Sequence, residues 1–96
     1  MKAKRIKTYK LFIKGKVQDV NFRYWFSNIA TSLSLNGYIQ NHKNKDEVNS
    51  IIQGEINNIL NMIEKSKEGP KLAIVESVES IEFNNNIIYS EFKIKY

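Results

Sequence analysis

Gly15-Lys16-Val17-Gln18-Asp19-Val20-Asn21-Phe22-Arg23 lies between two different hydrophobic periodicities. Before it, from Ile6 to Lys14, Tyr9, Leu11 and Ile13 alternate with Lys10, Phe12 and Lys14, the period-two pattern of a strand with unequal faces. After it, Phe22, Phe26, Ile29, Ala30 and Leu33 recur at helical spacing and form one apolar stripe. The stretch is therefore a strand-to-helix turn entered at a glycine. Such a turn leaves backbone N–H groups unpaired at the helix N-terminus, where the helix dipole also favours an anion. Arg23 adds a planar charged fork suited to phosphate or carboxylate oxygens. An ordinary strand–helix connection with a surface arginine fits these physical features slightly better than an anion cradle does.

Outward from this turn, the chain alternates between the same two patterns. Met1 to Arg5 reads as a frayed basic arm. Trp25 borders the first helical stripe, and Asn36-Gly37 reads as its stop. Tyr38 to His42 and Glu47 to Gln53 read as a hairpin around the polar turn Lys43-Asn44-Lys45-Asp46, with Asn44 suited to a left-handed conformation. Gly54 ends the second strand. Ile56, Ile59, Leu60 and Ile63 make a second helical stripe, with Lys65 and Lys67 near its negative end. Gly69-Pro70 stops that helix. Leu72 to Phe83 is β-prone, with Val78 breaking the parity and suggesting a bulge or strand start. Asn84-Asn85-Asn86 is a turn, and Ile88 to Tyr96 is a final strand region. The order is β-α-β-β-α-β plus a short C-terminal strand. It predicts an α+β, ferredoxin-like split β-α-β sandwich, with an antiparallel sheet and two helices on one face. Ninety-six residues fit a single domain, 1–96.

Gly15-x-Val17-Gln18-x-Val20-x-Phe22-Arg23 closely resembles the first signature of the acylphosphatase family. Gly37-Tyr38-Ile39-Gln40-Asn41 resembles the start of the second. The similarity continues through Gly54, Gly69-Pro70, Ala73 and Val75 to Phe92-Lys93-Ile94-Lys95-Tyr96, so it spans essentially the whole chain. It implies the same fold and hydrolysis of the carboxyl–phosphate bond of acyl phosphates. By this resemblance Arg23 binds phosphate together with the backbone of Gly15, Lys16, Val17, Gln18, Asp19, Val20, Asn21 and Phe22. Asn41 orients the attacking water, with no metal and no covalent intermediate.

The residue chemistry agrees with that activity. Donors already in place are what a phosphoryl transition state requires. A carboxamide can orient water but cannot remove its proton at neutral pH. With no strong general acid, the set suits a leaving group that is stable as an anion. A carboxylate, with a conjugate-acid pKa of roughly 4, qualifies. His42 follows Asn41 where the family commonly has threonine, and reads as a strand-end residue without a catalytic part.

Three departures bear on the site. Asp19 stands where the family typically has glycine; its carboxylate is placed to cap the N–H of Asn21 or Phe22 that phosphate would need. At about 5 Å from a dianion it would cost about 3 kcal/mol at an intermediate dielectric. Lys45 replaces a hairpin glycine, with Val48 one residue late, and Gln40 replaces a basic residue common in the family. Asp19 also motivates an alternative: a phosphate-binding regulatory module of the same fold with impaired turnover.

Composition limits the remaining classes. Fifteen Lys+Arg against 10 Asp+Glu give a net charge of +5, which attracts anions of any kind. No cysteine is present, so thiolate chemistry and disulfide staples are excluded. Lys7, Lys10 and Lys14 interrupt the first apolar run, so no leader or membrane span is expected and the cytoplasm is the default location. A single-stranded RNA binder of this fold needs basic and aromatic residues on its third strand. Glu47 to Gln53 carries none. The expected partner is a small acyl phosphate or inorganic phosphate acting on a monomer, with no cofactor, nucleic acid or membrane.

Overall fold

The computed structural model describes residues 5–96. Of the basic arm expected at residues 1–5, residues 1–4 lie outside the described residues. Arg5 is exposed, and its carbonyl accepts the Ile56 N–H at 3.3 Å. The elements follow in the order β1 (Ile6–Lys16), α1 (Phe22–Ser32), β2 (Asn36–Asn41), β3 (Glu47–Glu55), α2 (Ile56–Glu68), β4 (Ile74–Glu82) and β5 (Phe92–Lys95). They form one five-stranded sheet in the order β4-β1-β3-β2-β5. The two helices cover the face carrying Leu11, Ile13, Ile39, Val48 and Ile52, all fully buried. Phe22, Phe26 and Ala30 of α1 and Ile59 and Met62 of α2 complete this core.

The sheet is mixed, which corrects the expected antiparallel one. β1 pairs antiparallel with β3 and β4, and β2 with β3, but β5 runs parallel to β2. The returning chain explains the direction. Phe83 donates its N–H to Thr8 O, Gln53 Nε2 donates to Ile87 O, and Asn36 Nδ2 donates to Tyr89 O. The segment thus crosses β1, β3 and β2 in turn and reaches β5 at the end where β2 begins. Residues 84–91 are irregular, so the expected final strand from Ile88 shortens to Phe92–Lys95.

Other boundaries moved for local reasons. β1 continues through Gly15 to Lys16, because β4 follows it that far. The register shift lies between Lys14 and Gly15, opposite Ser77 and Val75, so Glu76 is the extra residue and Val78 pairs regularly with Ile13. α1 is stopped by Ser34 at φ 57, with Leu35 N–H donating to Ala30 O; Asn36-Gly37 already belongs to β2. Gly54 lies within β3, which ends at Glu55. In α2 Ile59 is fully buried as expected, Met62 is fully buried as well, and Leu60 is exposed. Asn44 does not take a left-handed conformation; its N–H donates to His42 Nδ1 at 3.0 Å instead.

Candidate active site

The strand-to-helix turn is built from backbone conformations that only some residues tolerate. Gly15 has φ 136, and a Cβ there would stand 2.1 Å from the Ile74 carbonyl oxygen of β4. Only glycine allows the sheet to close at this point. Asp19 and Asn21 both have positive φ, at 59 and 65. Short polar side chains reach this region more readily than others, though at some cost. Between these two turns Val17 and Val20 are buried in the core, so the loop is anchored from below.

Gln18 anchors it from the side. Its Nε2 lies 2.9 Å from His42 O, 2.9 Å from Asn44 O and 2.8 Å from Glu47 O. Gly15 N–H also donates to Asp46 O at 2.9 Å. The β2–β3 turn, which follows Asn41, is therefore tied to the loop that precedes Arg23. One amide side chain fixes two segments far apart in sequence.

The N-terminus of α1 is left open. Asn21 is its N-cap residue, but no side chain caps the helix and its first turn holds no acid. Asp19 is exposed and is not the capping group that was expected. The first intrahelical bond runs from Trp25 N–H to Asn21 O, so the N–H groups of Phe22, Arg23 and Tyr24 lack intrahelical partners.

Arg23 stands in the same turn, where its charge adds to the positive end of the dipole. It makes no ion pair with a carboxylate among the described residues. Its Nη1 donates to Lys95 O at 2.9 Å, and its guanidinium lies 4.8 Å from the centroid of the Tyr96 ring. Two contacts thus hold the fork while leaving its charge uncompensated. Asp19 stands on the same cavity wall and forms no ion pair with Arg23 among the described residues.

A cavity of about 190 Å³ opens at this point. Val17, Asp19, Asn21, Phe22, Arg23 and Tyr24 form one side, with Asn41, Ile94 and Tyr96 across from them. Arg23 and Asn41 therefore face one space, Asn41 arriving from the end of β2. Gly15, Lys16, Gln18 and Val20 do not line it: the first two are strand residues, Gln18 points to the hairpin turn and Val20 points into the core. Tyr24, Ile94 and Tyr96 were missed at the sequence level. The alternation of Phe92-Lys93-Ile94-Lys95 held the signal for Ile94, because Phe92 and Ile94 pack toward the helices. No three His, Cys, Asp or Glu side chains gather among the described residues.

Fold and cavity together define a small α+β protein whose β1–α1 loop and β2 end share one cavity. The family model for Acylphosphatase matches residues 9–94. An acylphosphatase from Caldivirga maquilingensis is 31% identical over 91% of this chain and 92% of its own. One from Dehalococcoides mccartyi is 37% identical over 88% and 92%. The solved structure of an acylphosphatase from Coxiella burnetii superposes with a TM-score of 0.91 at 30% identity, covering 99% of this chain and all of that one. The chain belongs to the acylphosphatase family, and acylphosphatase function is what these matches support.

Proposed function

We propose that the chain, acting as one domain, hydrolyses acyl phosphates to a carboxylate and inorganic phosphate without a metal ion. The observation that carries this is the meeting of an uncapped helix N-terminus, an unpaired Arg23 and the Asn41 carboxamide in one cavity. Backbone N–H groups of the cavity-lining residues Val17, Asp19, Asn21 and Phe22 and the Arg23 fork hold the phosphoryl oxygens. Asn41 accepts from the attacking water and aims its lone pair at phosphorus. The new P–O bond forms as the P–O bond to the acyl group breaks, and that electron pair leaves on the carboxylate. The water proton passes to a phosphate oxygen or to solvent. No acid is needed for the departing group, since a carboxylate is stable as formed. Inorganic phosphate binds the same loop as product. The site works in a cytoplasmic monomer.

Purified protein assayed with benzoyl phosphate tests this. Turnover that persists in EDTA and is lost in Arg23→Gln and Asn41→Ala supports the assignment. Full activity in both variants contradicts it, and phosphate binding with no turnover in the unaltered protein contradicts the enzyme.

A further inference from the structure

The strand pair that supplies Asn41 and Ile94 to the catalytic cavity has a second face. Strand alternation sends Tyr38, Lys93 and Lys95 to that side, and Tyr38 and Lys93 are direct partners across the parallel pair. The returning segment supplies the other wall, with Ile88, Tyr89 and Ser90. Together with Gly37 and Glu91 they line an open cleft of about 270 Å³, larger than the catalytic one.

The walls are fixed although residues 84–91 have no regular structure. Gln53 grips the segment twice, its Nε2 donating to Ile87 O at 2.8 Å and its Oε1 accepting from Tyr89 N–H at 2.9 Å. Asn85 Nδ2 donates to the Tyr89 hydroxyl at 2.8 Å, and Gly37 N–H donates to Glu91 O at 2.9 Å. The Tyr38 and Tyr89 rings meet edge-on, centroids 6.3 Å apart. Burial, and then the neighbouring Tyr89, push the Tyr38 hydroxyl above its usual pKa. Ile88 is 86% exposed at the rim, an apolar side chain with nothing over it.

The charge here is positive and lightly compensated. Lys95 Nζ lies 3.9 Å from the Tyr38 centroid and pairs with no carboxylate among the described residues. Lys93 Nζ is 3.8 Å from Glu91 Oε2, a long contact between two exposed side chains. Roughly 150 Å³ accommodates a benzene ring, so the cavity has room for one ring and a charged substituent.

We infer that this cleft is a second binding site, distinct from the catalytic loop, for a single-ring aromatic anion. The ring packs against Tyr38, Tyr89 and Ile88, and its carboxylate or phosphate lies between Lys93 and Lys95. Lys95 links the two sites, its side chain in the cleft and its carbonyl on Arg23.

The test is an amide-resolved NMR titration of the intact protein, with the catalytic loop first saturated by inorganic phosphate. Benzoate and phenyl phosphate separate the two possible anionic groups, and benzyl alcohol is the uncharged control. Binding of either anion is expected to shift the amides of Tyr38 and residues 88–95, with benzyl alcohol weaker. Lys93→Gln, and Lys93→Gln with Lys95→Gln, are expected to weaken it by about fivefold or more, the scale of exposed charge contacts. Shifts confined to residues 17–24, equal binding of benzyl alcohol, unchanged binding in both variants, or no binding at all would each overturn the site.

Discussion

Two helices in this molecule begin directly after a strand or strand-end loop, and their N-termini are finished in opposite ways. At α2, Glu55 is extended at φ −68 and ψ 139, and its Oε2 accepts the Asn57 N–H at 3.1 Å. The free donors meet a carboxylate from the chain itself, and Lys65 and Lys67 complement the other end. At α1, Asn21 is left-handed, caps nothing, and is followed by a cation where an acid is normally favourable. Taken alone, that end is a poor start for a helix. It persists because Phe22 and Phe26 are buried on the sheet and because Gln18 holds the preceding loop. The stability that α2 draws from its cap is replaced at α1 by core packing, and the open donors remain free for an anion.

The contrast can be attacked at each of its parts. Arg23→Gln removes the charge but keeps some hydrogen bonding, and we expect kcat/KM on benzoyl phosphate to fall by about 10²–10³. Gln18→Ala unties the loop from the carbonyls of His42, Asn44 and Glu47. It is expected to lower kcat/KM about tenfold and to destabilise the fold by about 1 kcal/mol in urea unfolding, since His42 O loses its side-chain donor while Glu47 O and Asn44 O keep the N–H groups of His42 and Glu47. Asp19→Gly removes a negative charge from the cavity wall and relieves a positive φ. Because Asp19 is exposed, solvent screens much of the repulsion; kcat/KM is expected to rise only severalfold, with an unchanged or lower value contradicting the role given to Asp19. Glu55→Ala strips the cap from α2, costing about 1 kcal/mol of stability. It should leave kcat/KM unchanged, because nothing at that helix start lines the cavity shared by Arg23 and Asn41.

The same contrast shows what the sequence could reveal. The periodicities placed both helices and the order of the strands, because burial on one face leaves a local imprint. The parallel β5 left none: its direction is set by where residues 83–91 are tied across the sheet by Gln53 and Asn36, which is a tertiary outcome. The motifs singled out Arg23 and Asn41, and the structure brings both to one cavity. Gln18 was legible as part of the motif, but its task on the far hairpin was not, since an amide side chain carries no sign of which carbonyls it will meet. Asp19 looked like a helix cap because aspartate often is one. The turn instead continues through left-handed Asn21, and the carboxylate is left in solvent.

A phosphate titration followed by backbone amide shifts addresses the open helix end most directly. Inorganic phosphate added to the unaltered protein is expected to move the amides of residues 17–24, leave Ile56 and Asn57 unmoved, and lose most of its effect in Arg23→Gln. Equal shifts at both helix starts, or shifts at residues 17–24 that are undiminished in Arg23→Gln, would contradict it.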